Sequence, residues 1–229
     1  HRLLPTELNH RANIWALRSL GVRWLLSATA VGSLKEAYRP QDLVIPDQFF
    51  DRTSTRSGHT FFGNGIVAHI AFAEPTSATL RRLVVEAAQA DGVPHHSGGV
   101  YVNMDGPAFS TRAESEANRR MGFDVIGMTN LPEAKLAREA EMAFATLAFI
   151  TDYDCWKVEE EPVTAETVIG HLLANAGTAK RLLQRIIPRI PDAVEEPEHR
   201  ALDRALVTAK EHWPSEVKEN LRPILSRFL

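Results

Sequence analysis

The feature that most restricts the fold lies late in the chain, in the stretch ATLAFITDYDCWK at residues 145–157. Residues 145–150 are an apolar run without alternation, the composition of a strand buried on both faces. Such a strand needs neighbouring strands and helices on both sides of the sheet. At Thr151 the run switches to two carboxylates two residues apart, Asp152 and Asp154. Ligands of parallel α/β sheets bind beyond the carboxyl ends of the strands, so acids at such an end are candidates for chemistry. An acid just past a strand is also a common turn residue or helix cap, and Asp-Tyr-Asp taken alone favours that plainer role.

The rest of the chain supplies the partners. Ile14, Leu17 and Leu20 share one helical face over residues 13–20, and Gly21 is the expected stop. Strands are predicted over 22–30, with Thr29 near the end, and over 43–45, 66–71, 99–104 and 124–128; the 66–71 strand carries His69. Helices are predicted over 76–90, 111–121 and 133–141. A longer helix is capped by Thr164 and runs to Ile187, with Val168, Ile169, Leu172, Leu173, Ala176 and Leu183 inward, until Pro188 and Pro191 end it. Residues 52–65 read as a long loop, and the charged tail 193–229 as containing a helix over about 199–212. Alternating strands and helices, with the strands apolar throughout, predict an α/β fold: a single domain with a central mixed β-sheet flanked by helices. Residues 1–191 are expected to form that domain, and 192–229 a helical tail packing on the same domain or on a neighbouring subunit.

Charge and motif spacing remove several functions. Lys and Arg number 26 against 29 Asp and Glu, a net charge of −3, which leaves no electrostatic footprint for nucleic acid. No apolar run approaches bilayer length, so no membrane partner is expected. The single cysteine, Cys155, excludes an internal disulfide and fits a reducing, cytoplasmic compartment. Gly63-Asn64-Gly65 and Val31-Gly32-Ser33 lack the glycine spacing of a dinucleotide site. The adjacent His95 and His96 read as solvated loop histidines, and with no zinc-like ligand spacing no metal is predicted.

What remains is a set of expected strand ends: Thr29, Phe109 with Ser110, Met128 with Thr129, and Asp152 with Asp154. Brought together they offer hydroxyl donors for an anion, an aromatic face for a flat ring and carboxylates for ring nitrogens, which is a nucleoside-shaped inventory. Each one alone reads as structural, since such threonines satisfy backbone groups and such Phe or Met side chains are usually core.

Six segments, RANIWALRSLGV, SATAVGSL, VIPDQFFDRT, GPAFSTRAES, DVIGMTNLPEAKLAREAE and ITDYDCWK, in this order and spacing, resemble the 5′-methylthioadenosine phosphorylases of the trimeric purine nucleoside phosphorylase superfamily. The resemblance runs from His1 to about Pro191. It implies a nucleoside phosphorylase-like fold and cleavage of the N-glycosidic bond of 5′-methylthioadenosine by inorganic phosphate, as co-substrate and without a cofactor. It implies Asp152 as the acid for purine N7 and Asp154 as the partner of the 6-amino group. Phe109 is implied against the purine, with Ser110 where members acting on 6-oxopurines carry Glu. Met128 is implied beneath the ribose, and Thr29, Thr129 and His1 at the phosphate. For the 5′-methylthio group it implies Ala165, Val168 and Ile169 together with His69 from a neighbouring subunit, hence a homotrimer. Broader purine specificity, hydrolysis in place of phosphorolysis, and nucleoside binding without turnover are the competing expectations.

Two departures accompany the match. Ala108 stands in GPAFS where many members have Arg, which implies altered support around that loop. Members of the family also carry a strand, a Gly-rich phosphate loop and an Arg-His pair before the position of His1. The expectation is therefore that the 229 residues lack a natural N-terminal part and by themselves support little phosphorolysis.

Overall fold

A computed structural model describes residues 2–54, 58–157, 165–191 and 194–229, and within them leaves the side chains of 165–169 and 172 undescribed. The elements are α1 (His10–Ser19), β1 (Trp24–Ser33), β2 (Leu43–Ile45), β3 (Gln48–Asp51), α2 (Ala78–Ala90), β4 (His95–Ser97), β5 (Val100–Asn103), α3 (Arg112–Arg120), β6 (Val125–Gly127), α4 (Asn130–Glu139), β7 (Ala143–Asp152), α5 (Ala165–Ile186), α6 (Ser215–Asn220) and α7 (Arg222–Leu225). The seven strands form one sheet in the order β3-β5-β6-β1-β7-β2-β4. β1 is parallel to β7, and β3, β5 and β6 are parallel to one another, but β1 meets β6 antiparallel and β2 meets β7 antiparallel. The sheet is mixed, as the sequence predicts.

β7 is the apolar run of the opening, and it is longer at both ends than residues 145–150. Every residue from Ala143 to Thr151 is buried, and only Asp152 reaches partial exposure. Its two faces feed different cores. Phe144 packs with Ile14, Leu136 and Ile224, whereas Leu147 and Phe149 pack with Leu83, Val84 and Leu182. Burying one such side chain is worth roughly 1.5–3 kcal/mol, so a strand buried along its whole length is the anchor of the domain.

Several elements differ from the expectation, each for a local reason. Thr29 is not near a strand end, because β1 continues through the small residues Gly32 and Ser33, which pair with Ile126 and Val125. Residues 66–71 are extended, with Ile66 buried and Ala68 and Ile70 packed inward, yet they make only isolated bridges, Ile66 to Gly63 and Ala68 to Leu206, so the period-two pattern is real without a sheet to join. His95 and His96 lie on edge strand β4; His96 Nε2 meets Asp42 at 2.8 Å and its ring stacks on Tyr38 at 3.8 Å. β3, within a stretch rich in polar residues, is an edge strand against β5. α5 has its expected length, but its buried described face is Asn175, Ala179, Leu182 and Ile186, while Leu173 is exposed. The helix turns this way because Asn175 Nδ2 and His171 Nδ1 bond to the carbonyls of Ile150 and Thr151, contacts that a count of apolar residues does not register.

The tail contains no helix over 199–212. It forms short 3-10 turns at Pro197–Arg200 and Lys210–His212 and then α6 and α7. Leu202, Ala205, Trp213, Leu221 and Ile224 join the same buried cluster as Ile14 and Phe144. A buried acid ties this arrangement down. Glu141, 1% exposed, accepts two bonds from Arg227 at 2.5 and 3.0 Å and the Leu202 amide at 3.1 Å, with Arg18 at 3.8 Å. Glu141→Ala leaves two guanidinium groups and an amide without their acid, and should lower stability by about 3 kcal/mol. Glu141→Gln, which keeps an acceptor for Leu202, should lose less; denaturant unfolding that finds the Ala variant as stable as the parent contradicts this role.

Candidate active site

The site forms where β1 and β6 separate. Their pairing is confined to Gly32 with Ile126 and Ser33 with Val125, and beyond it the strands diverge. A cavity of about 650 Å³ occupies the wedge, lined by residues of β1 from Ala28 to Gly32, by Gly127, Met128 and Thr129, by Met104, Phe109 and Ser110, and by Thr151, Asp152 and Asp154. The opening therefore lies along a splayed antiparallel pair, and the common carboxyl end expected of a parallel sheet is replaced by this geometry because the sheet is mixed.

Thr29 and Thr129 meet across the wedge, Oγ1 to Oγ1 at 3.1 Å. Thr129 is the residue before α4, and its side chain makes no cap bond to the helix, so its hydroxyl remains directed to the strand pair. Behind them the fully buried Tyr101 hydroxyl stands beside the same two threonines, which oppose the effect of burial, and burial pushes it up to about 12. Ser27, two residues before Thr29 on the same face of β1, donates to Glu133 at 2.7 Å, and burial holds the Glu133 carboxyl above its ordinary range. The floor of the wedge is thus polar and rigid.

The acids are placed by a bulge. β1 and β7 run in register to Val31 and Ile150, after which Gly32 pairs with Asp152 and Thr151 is the extra residue. Bulges re-aim side chains beside functional sites, and here the extra residue turns Asp152 into the cavity. The absence of a side chain at Gly32 makes room for this, since a Cβ there would press on Asp152 Oδ1 at 3.0 Å and on Ile126 Cγ2 at 3.2 Å. The Thr151 hydroxyl donates to Asp152 Oδ2 at 2.7 Å, and the Asp154 amide donates to Asp152 Oδ1 at 2.8 Å. Asp154 itself has φ 53°, a left-handed conformation that costs a non-glycine residue of order 1–3 kcal/mol and recurs at functional sites.

Both carboxyls are held above the usual range, and in both the first cause is burial. For Asp152 the Thr151 and Asp154 donors and His171 oppose the rise, while the neighbouring Asp154 charge adds to it. For Asp154 the Ser115 and Ser110 hydroxyls and the Cys155 amide oppose the rise, and Glu114 adds to it. Two acids in one water-poor wall, one of them able to keep its proton, make a proton donor and an acceptor available side by side.

The cavity brings together Thr29, Phe109, Ser110, Met128, Thr129, Asp152 and Asp154. Phe109 is 52% exposed there, an aromatic face open to a ligand. His69 is not among the lining residues; it is exposed, with its amide bonded to Ala205 O at 2.8 Å. Ala165, Val168 and Ile169 lie in the first turns of α5 with side chains outside the described residues, and His1 is also outside them. The sequence reading missed Gly32, Ser115 and His171. Only His171 left a signal, as a polar residue on the helix that follows the acids. No helix among the described residues is long and apolar enough to cross a membrane. Among them also, no group of three or more His, Cys, Asp or Glu side chains converges as a metal site.

A mixed sheet with hydroxyls and acids in one wedge-shaped cavity is the arrangement of a nucleoside-processing α/β enzyme, and the family model described as the phosphorylase superfamily matches residues 1–188. The chain is 52% identical over 228 residues to S-methyl-5′-thioadenosine phosphorylase of Chloroflexus aurantiacus, covering all of this chain and 79% of that protein. It is 51% identical to the protein of the same name from Gloeobacter violaceus, again over the whole chain and 78% of the relative. A methylthioadenosine phosphorylase from an antarctic soil metagenomic library superposes with a TM-score of 0.93 at 45% identity, covering 98% of this chain and 79% of that one. Methylthioadenosine phosphorylase from Schistosoma mansoni in complex with adenine superposes with a TM-score of 0.80 at 32% identity, covering 99% and 80%. The chain belongs to the phosphorylase superfamily and, within it, to the S-methyl-5′-thioadenosine phosphorylase family.

The raised carboxyl of Asp152 has a thermal consequence. A folded-state pKa above the ordinary 3.8 means that the folded protein holds the proton more tightly, so this group favours folding at low pH. That contribution is lost as pH rises from the ordinary value through the raised one. Asp152→Asn, neutral at every pH, should therefore melt at a higher temperature than the parent at pH 8. The gain should shrink as pH falls toward 4. Thermal melts at both pH values check it, and a variant less stable at pH 8 contradicts the burial penalty.

Proposed function

We infer that the chain catalyses phosphorolysis of 5′-methylthioadenosine, giving adenine and 5-methylthioribose 1-phosphate, a step of purine and methionine salvage. The observation that carries this is the juxtaposition of two raised acids and a hydroxyl pair in one cavity. Thr29 and Gly32 are three residues apart on β1, about 10 Å along an extended strand, a span suited to a phosphate at one end and a purine edge at the other.

In this mechanism inorganic phosphate is the co-substrate and no cofactor takes part. Thr29 and Thr129 donate to the phosphate, joined by His1, and Met128 lies beneath the ribose as it develops oxocarbenium character. Phe109 packs on the purine, with Ser110 at its edge. Asp152 delivers its proton to N7, so that adenine departs neutral, and Asp154 accepts from the 6-amino group. A protonated Asp152 is the active form, which the burial of its carboxyl favours. The methylthio group is received by Ala165, Val168 and Ile169, with His69 supplied by the neighbouring subunit of a homotrimer. In support, His69 is exposed, on a segment pinned by Arg138 to the carbonyls of Ala71 and Glu74. A cytoplasmic location suits the single, unpaired Cys155.

The test is adenine release from methylthioadenosine by the full-length protein, with mass measured by light scattering. Release should depend strictly on phosphate, by trimers, and fall by about 10²–10⁴-fold in Asp152→Asn. Because the protonated acid is required, kcat/KM should hold at low pH and fall as pH rises through the raised pKa of Asp152. Release without phosphate indicates hydrolysis, an unchanged Asp152→Asn rate removes the assigned acid, and an active monomer removes the shared pocket.

A further inference from the structure

Ser115 lies in α3, one residue past the capping box that Thr111 and Glu114 form at the helix start. It is completely buried, and its Oγ makes no hydrogen bond to a described group. Asp154 Oδ2 is likewise buried and without a partner. Buried polar atoms left unpaired are costly and rare, so two of them at one place call for a cause. They are neighbours: α3 packs against the 3-10 turn Asp154–Trp156, and the Ser115 hydroxyl lies close enough to oppose the rise of the Asp154 carboxyl without completing a hydrogen bond. A side-chain rotation at either residue would complete the bond.

The two acids need opposite protonation states. Burial drives both toward the neutral form, which suits Asp152 as the donor to N7. Asp154 must instead be an acceptor, because an exocyclic amine only donates. A protonated Asp154 would become a donor and would suit a 6-oxo group. A hydroxyl has one proton, and giving it to Oδ2 favours the ionised carboxylate. Ser110 and the Cys155 amide act in the same sense, but Ser110 lines the open cavity, whereas Ser115 is sealed behind the acid. The left-handed backbone of Asp154 and its amide bond to Asp152 fix the direction from which that hydroxyl can be met.

We propose that Ser115 is the positioning residue that fixes Asp154 as a hydrogen-bond acceptor in the liganded site and so sets the preference for 6-amino over 6-oxo purines. This rests on the assignment of Asp154 to the 6-amino group. Removing the hydroxyl should leave chemistry on N7 intact while weakening the choice between purines.

The experiment compares kcat/KM for 5′-methylthioadenosine and for its 6-oxo analogue, 5′-methylthioinosine, in the full-length protein. Ser115→Ala should lower the 6-amino to 6-oxo ratio about tenfold, mainly through KM for the 6-amino substrate, with Tm unchanged or raised because an unpaired buried hydroxyl is removed. Ser115→Cys, of similar shape but a weak donor, should lower it as well. Asp154→Asn serves as the control and should lower the ratio at least as far. If Asp154→Asn moves the ratio and neither Ser115 variant does, the positioning role is overturned. If none of the three moves it, the assignment of Asp154 falls and the inference falls with it.

Discussion

The structure depends on one strand that has no solvent face. β7 is buried from Ala143 to Thr151, and everything that positions the site is attached to it. It supports β1 along a nearly continuous parallel register, receives α4 and α5 on its surfaces and ends in the bulge that turns Asp152 outward. A strand of this kind cannot slip, because a shift of one residue would carry Asp152 toward the core and an apolar side chain into the cavity. The geometry of the acids is therefore set by packing many residues away from them.

The same frame explains why the cavity is where it is. Had β1 and β6 paired throughout, Thr29 and Thr129 would face each other within a closed ladder. Pairing stops after two residues, and the wedge that opens is polar on its floor, from Glu133 and Ser27 to the two threonines, and acidic on its wall. Low dielectric then acts on every ionisable group there in the same direction, holding Asp152, Asp154 and Glu133 toward their neutral forms. What distinguishes the acids is the particular donors each one meets.

Much of this was legible in the residues. The apolar run of β7 announced a sheet covered on both faces, and the periodicity of α2 was right to its buried Leu80, Leu83, Val84 and Ala87. The set of Thr29, Phe109, Ser110, Met128, Thr129, Asp152 and Asp154 does line one cavity. Other features left no local trace. The burial of α5 is decided by His171 and Asn175 bonding to β7 carbonyls, which apolar counting turned to the wrong face. The segment around His69 has a strand's alternation but no ladder to enter. Gly32 and Ser115 matter through what stands opposite them in space, the acids of a strand more than a hundred and a turn some forty residues away. Of the two placements expected for the charged tail, on the same domain or on a neighbouring subunit, Leu202 and Ile224 take the first by joining the main cluster, since burial follows the few apolar residues and not the average.

If Asp152 protonates the departing base, the cost of losing it must depend on the leaving group. Rates of the parent and Asp152→Asn would be compared on methylthioadenosine and on a 5-methylthioriboside whose leaving group, such as 4-nitrophenolate, departs without a proton. A proton donor should give a loss of about 10²-fold or more on the nucleoside and little change on the activated riboside. An equal loss on both substrates would contradict it, and would make Asp152 a binding residue instead of an acid.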